Sequence, residues 1–115
     1  MPRDVRTHLA DIAQCIEEVE TFVAGKTLDE YEENILVQRA VEREFTIIAE
    51  ALSRISRMSA ELSSRIDDVR QIAGFRNIIV HDYHVVDPAY VWKVVQGSLP
   101  TLKHQVNAWM VELDS

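Results

Sequence analysis

Apolar residues recur at three- and four-residue intervals through almost the whole chain, and this spacing constrains the fold more than any other feature. Leu9, Ile12, Ala13, Ile16, Val19 and Val23 fall on one face of a helix expected from about Val5 to Ala24. Gly25 supplies a stop. Thr27-Leu28-Asp29-Glu30 has the form of a capping box opening a short turn or the next helix. From about Asn34 to Met58, at ~100° per residue, Val37, Val41, Phe45, Ile48, Leu52 and Ile55 share one side. Arg39, Glu42, Arg43, Thr46, Glu50, Ser53, Arg54 and Arg57 share the other. That polar side reads either as a solvated face joined by Glu–Arg pairs or as one wall of a cleft facing His81.

Ser59 and Ser63 are turn or cap candidates. A third long helix is expected from about Ile66 to Val80, with Val69, Ile72, Ala73, Ile79 and Val80 as its stripe. Gly74 weakens that helix by about 1 kcal/mol relative to Ala, which points to close packing of another backbone. Asp87-Pro88 opens the last helix, with Asp as N-cap and Pro at the first helical position. Trp92, Val95, Leu99, Leu102, Val106, Trp109 and Leu113 then alternate gaps of three and four, a seam pattern. Gly97-Ser98 and Pro100 interrupt the seam without changing its phase, so a kink or restart is expected rather than a reversal. With only three Gly and three Pro, and no β pattern or repeat, the expectation is one domain over residues 1–115. It is an all-α antiparallel bundle of four to five helices. Wide apolar faces on so small a chain favour a homodimer.

Composition narrows the setting. No apolar run approaches the roughly 20 residues of a membrane span. Arg3, Asp4 and Arg6 lead into an amphipathic pattern unlike a signal peptide. Cys15 is the one cysteine, so neither an internal disulfide nor a cysteine zinc cluster can form, which fits a cytoplasmic protein. Its place beside the first apolar stripe suggests packing. The net charge of −7 is the wrong sign for non-specific nucleic-acid binding, so an RNA ligand needs a local basic surface. The charge is uneven: Asp29, Glu30, Glu32 and Glu33 cluster, whereas Arg54, Arg57, Arg65, Arg70 and Arg76 enrich a later stretch.

Within that stretch, Arg76-Asn77-Ile78-Ile79-Val80-His81-Asp82-Tyr83 sets a guanidinium, an imidazole and a phenol in or beside an apolar run. An unpaired buried charge is costly, so Arg76 needs a partner or an anion. Arg suits phosphate, and His exchanges protons near neutral pH. Five residues apart, the two lie about 140° around and roughly 7.5 Å along a regular helix. They do not share a face there: either the helix ends near His81, or the residues meet across a dimer. RNA carries its own nucleophile, the 2′-hydroxyl. Cleavage needs a base for that hydroxyl, an acid for the 5′ leaving oxygen and cationic stabilisation of the transition state. His81 can be acid or base and Arg76 can clamp the phosphate. Asn77 could hold the backbone or orient His81, with Asp82 as a further supporting residue. No cofactor is called for, and no acidic metal cluster is apparent. His84 is adjacent and could contribute; His8 and His104 read as surface or satisfied helix residues.

Gly74-Phe75-Arg76-Asn77 followed by Ile78-Ile79-Val80-His81-Asp82-Tyr83 resembles the Arg-x4-His-x-Tyr signature of HEPN-domain proteins, in particular the HepT-like toxins. Arg39 to Arg43, Ile48 to Leu52, Val86 to Trp92 and Leu99-Pro100 extend the resemblance over most of the chain. Ala49 stands where many relatives carry Gly. The resemblance implies a metal-independent ribonuclease toxin acting as a symmetric dimer. It also implies a partner, a minimal (MNT-type) nucleotidyltransferase antitoxin that transfers AMP to Tyr83 and silences the nuclease. Two other readings stay open. One is a non-catalytic helical module that binds a nucleotide or docks a nucleotidyltransferase as its antidote. The other is a structural dimer whose polar motif only holds the third helix in place.

Overall fold

The computed structural model describes residues 4–73 and 87–114, the side chains of 67–73 apart. It is all-α over those residues. The elements are α1 (Val5–Val23), α2 (Leu28–Glu33), α3 (Ile35–Met58), α4 (Ala60–Ala73), α5 (Pro88–Lys93), a π turn (Val94–Ser98) and α6 (Leu99–Asp114).

Local chemistry sets the helix ends. Asp4 caps α1, accepting from the Thr7 backbone N–H at 2.9 Å and from its hydroxyl at 3.0 Å. Gly25, at φ 71°, ends it in the left-handed region that glycine enters without a Cβ penalty. The capping box at α2 is reciprocal: Thr27 N–H donates to Glu30 Oε1 at 2.9 Å, and Glu30 N–H donates to Thr27 Oγ1 at 3.2 Å. Asn34 ends α2 and caps α3 through Val37 N–H at 3.1 Å. Gln38 is buried because its Nε2 donates to the carbonyls of Tyr31 (2.9 Å) and Glu32 (3.0 Å), which the short α2 leaves open.

The apolar stripes meet in one core. Leu9, Ile12, Ile16 and Val19 of α1 pack with Val41, Phe45, Ile48, Leu52 and Ile55 of α3. Leu62 and Ile66 of α4 and Leu99, Leu102, Val106 and Trp109 of α6 complete it. Surface pairs report the directions. Arg6 reaches Asp114 at 2.7 Å and Lys103 reaches Glu20 at 2.9 Å, so α1 and α6 run antiparallel. Arg65 reaches Glu112 at 3.0 Å and ties α4 to the end of α6. Exposed pairs of this kind contribute about 0–1 kcal/mol each, so burial, not charge, holds the bundle.

One expectation is corrected and one refined. First, α4 starts at Ala60, six residues before Ile66. Ser59 alone separates it from α3. The Ser59 N–H donates to Ile55 O at 3.0 Å, and its Oγ accepts from Leu62 N–H at 3.2 Å. Ser56 and Ser63 then meet hydroxyl to hydroxyl at 2.7 Å, across the turn. The expected end at Val80 lies outside the described residues, as does Gly74. Second, the interruption near Pro100 takes the form of a π turn, in which Leu99 N–H donates to Val94 O, and the helix runs on without reversing, as expected. Pro100 has no N–H to give and its ring crowds the carbonyl four residues back; a wider turn accommodates both. The extra residue shifts the seam. Val91 takes the fully buried place, while Trp92 lies half-buried against Tyr31, with ring centroids 5.4 Å apart and planes at 41°.

Burial predicts a sharp contrast in stability. Phe45→Ala, fully buried at the α1–α3 seam, should cost about 3–5 kcal/mol. Leu36→Ala, at a residue 80% exposed, should stay within about 0.5 kcal/mol of the parent. Urea unfolding with an unchanged slope checks both; equal losses would contradict this core.

Candidate functional site

Arg76, Asn77, His81, Asp82, Tyr83 and His84 lie in 74–86, outside the described residues. What the structure describes is the frame at both ends of that segment. At the near end, α4 runs back along α3 from the single-residue turn at Ser59. Because α4 has 14 residues, Ala73 stands about level with Phe45, at the same rise per residue on the other side of the turn. At the far end, Asp87 caps α5, accepting from Ala89 N–H at 3.0 Å with Pro88 in the first turn, as expected from the sequence. α5 packs on α2 through Trp92 and Tyr31.

The polar side of α3 divides in two. Glu42, Thr46, Ser53 and Ser56, with Ala49, are half-buried on the flank toward α4, which the Ser56–Ser63 contact identifies. Arg43, Glu50, Arg54 and Arg57 are exposed. Among the described residues, one Glu–Arg pair forms along this side, Arg39 with both oxygens of Glu42 at 3.0 and 3.2 Å. A solvated face joined by charge pairs therefore describes one turn of the helix, not its length.

A second polar group lies at the α1–α3 seam, and the sequence reading missed it. Glu44 is 8% exposed and its Oε2 has no hydrogen-bond partner among the described residues. Burial raises its carboxyl above the ordinary range, and nearby Glu18 adds to the rise. The Cys15 thiol and Arg43 pull the other way. Cys15, buried against Glu44 as the packing residue expected, has its thiol pushed up to about 12 by burial and then by that carboxylate, so it stays protonated and inert. His8 is also buried, with Nδ1 unpartnered among the described residues, contrary to a surface or satisfied role; His104 is exposed. Spacing could have found Glu44, which is three after Val41 and four before Ile48 on the apolar line. Among the described residues, no three His, Cys, Asp or Glu side chains stand together as metal ligands. No described helix is long and apolar enough to cross a membrane.

A family model described as "Ribonuclease HepT-like" matches residues 12–109, a stretch that contains the whole of 74–86. The chain belongs to the HepT-like ribonuclease family. Among curated relatives of this HepT-like chain is a protein of Methanocaldococcus jannaschii named "Gamma-glutamylcyclotransferase and putative RNase". It is 32% identical over 114 residues, covering 99% of this chain and 51% of that protein. The chain thus spans about half the length of that relative. A "Probable ribonuclease HepT" of Thermococcus cleftensis is 33% identical over 103 residues, covering 90% of this chain and 93% of that one. No solved structure matches.

The Glu44 seam makes stability pH-dependent with a definite sign. Below the ordinary glutamate value both folded and unfolded chains hold this proton. As pH rises past about 4.5, the unfolded chain ionises first, and folding loses free energy until the raised folded value is passed. Glu44→Gln should therefore gain stability over the parent at pH 8 and differ little at pH 4. Thermal melts at both values check this; a parent less sensitive to pH than Glu44→Gln would contradict it.

Proposed function

We propose that this HepT-like chain is a metal-independent endoribonuclease toxin whose reacting groups are Arg76 and His81. The observation that carries the reading is the family match across the residues bearing Arg-Asn-x3-His-x-Tyr, among relatives named as RNases. In this mechanism a base takes the proton of the 2′-hydroxyl, and the 2′-oxygen attacks the adjacent phosphorus. The bond to the 5′-oxygen breaks as an acid returns a proton to it, leaving a 2′,3′-cyclic phosphate. Each subunit contributes one His81, so a homodimer supplies both acid and base. Arg76 neutralises charge growing on the phosphoryl oxygens. Asn77 and Asp82 support the two. Tyr83 is the regulatory position: AMP transferred to it by a nucleotidyltransferase antitoxin adds negative charge and bulk where the substrate phosphate enters. The half-buried Glu42, Thr46 and Ser53 supply a polar wall on the α3 flank toward α4, the helix that leads into the motif.

The test is cleavage of total RNA in EDTA by purified protein whose Tyr83 is unmodified by intact mass. The parent should give discrete fragments ending in cyclic phosphate. Arg76→Ala and His81→Ala should each lose about 100-fold or more with unchanged circular dichroism. A DNA strand of the same sequence should resist. An inactive, unmodified parent would favour the non-catalytic antidote module, and equal cleavage by all three proteins would leave the motif without a role.

A further inference from the structure

Four of the nine described Lys and Arg side chains form ion pairs. Arg6 pairs with Asp114, Arg39 with Glu42, Arg65 with Glu61 and Glu112, and Lys103 with Glu20. The Lys and Arg side chains with no ion pair or side-chain hydrogen bond among the described residues are Lys26, Arg43, Arg54, Arg57 and Lys93. Three of these five are exposed on one helix, α3, and they share a line. At ~100° per residue, Arg43 and Arg54 differ by about 20° around the axis, and Arg57 lies about 60° from Arg54. Arg43 and Arg57 are about 21 Å apart along it. Glu50 is the one carboxylate in the line, and it makes no ion pair with Arg54 one turn on.

In a chain of net charge −7, three exposed guanidinium groups on one stripe with no ion pair among the described residues need a reason. We infer that Arg43, Arg54 and Arg57 form a track for the phosphate backbone of single-stranded RNA. Guanidinium binds phosphate bidentately and tolerates any base sequence. A track of about 21 Å matches about six nucleotides at the ~3.4 Å rise of a stacked strand. Its direction fits the site. Arg57 is next to the Ser59 turn, whereas Arg43 is near the level of Ala73, where 74–86 begins. A strand held on Arg57, Arg54 and Arg43 is therefore led toward the segment carrying Arg76 and His81. The acidic Asp29, Glu30, Glu32 and Glu33 beyond the start of α3 repel a polyanion and bound the track. The inference rests on the ribonuclease reading for its choice of polyanion, but binding can be tested apart from cleavage.

The probe is a fluorescein-labelled 20-mer of 2′-O-methyl uridylate, which lacks the free hydroxyl that cleavage uses. Anisotropy titrations from 50 to 200 mM salt compare the parent with Arg43→Gln/Arg54→Gln/Arg57→Gln. At 50 mM, Kd should rise at least about tenfold, and the salt slope should fall by about two, at ~0.7 per single-strand phosphate contact. Lys26→Gln/Lys93→Gln, which also removes unpaired charge, should change Kd less than about threefold, and Glu50→Gln should tighten binding. In cleavage assays the triple variant should raise KM and leave kcat unchanged. Were the parent not to cut RNA but still to bind with the predicted slopes, the nuclease reading would fall and the track would stand. An unchanged slope in a folded triple variant, or an equal loss in the two-lysine control, overturns the track. So does a parent that binds no oligomer.

Discussion

A single residue sets the geometry on which the rest depends. Ser59 is all that separates α3 from α4, and it serves both helices, its N–H closing one and its hydroxyl opening the other. With no slack in the connection, α4 must fold back against α3, and its register is fixed by count. That register places Ala73 beside the middle of α3 and so decides where the segment with the family motif starts. It also decides which α3 side chains become a wall and which remain in water. The apolar stripes then close α1 and α6 over the other side, and most of the stabilisation comes from that burial.

Much of this was legible in the sequence, and what was not has particular causes. α1 and α3 were readable to within a residue at each end, because long apolar stripes coincide with Gly25 and Asn34 at their ends. The capping box at Thr27 and the Asp87-Pro88 start were readable for the same reason: each is a local hydrogen-bond pattern written in consecutive residues. The start of α4 was not, because Leu62 is a lone apolar signal followed by Ser63 and Ser64, which favour turns. Gln38, Glu44 and His8 were missed by a reading that sends polar side chains outward. Gln38 has a local backbone reason to be inside; for His8 the structure offers none. The candidate site is the reverse case. Residue types and spacing named Arg76 and His81, and the resemblance added Tyr83, while all three lie outside the described part of the structure.

Charge divides this small bundle by function rather than by fold. The core needs none of it, and the ion pairs between helices are exposed and weak. The carboxylates of α2 gather at one corner, and the exposed Arg43, Arg54 and Arg57 of α3, without an ion pair among the described residues, gather on another face. A chain that is acidic overall can thus present a local basic surface, at the cost of long-range attraction of polyanions from other directions.

The π turn has a meaning for the way this fold can vary. It stores one residue inside an otherwise continuous rod from Pro88 to Asp114. Removing that residue would restore an ordinary helix, but it would also swivel everything before Val94 by about 100° relative to α6. Trp92 would leave Tyr31, and the chain emerging at Asp87 would point elsewhere. The turn therefore acts as a dial that sets the azimuth of α5, and with it the direction from which the chain arrives out of the motif. Relatives could re-aim that arrival by gaining or losing one residue there, while their hydrophobic centre stayed as it was.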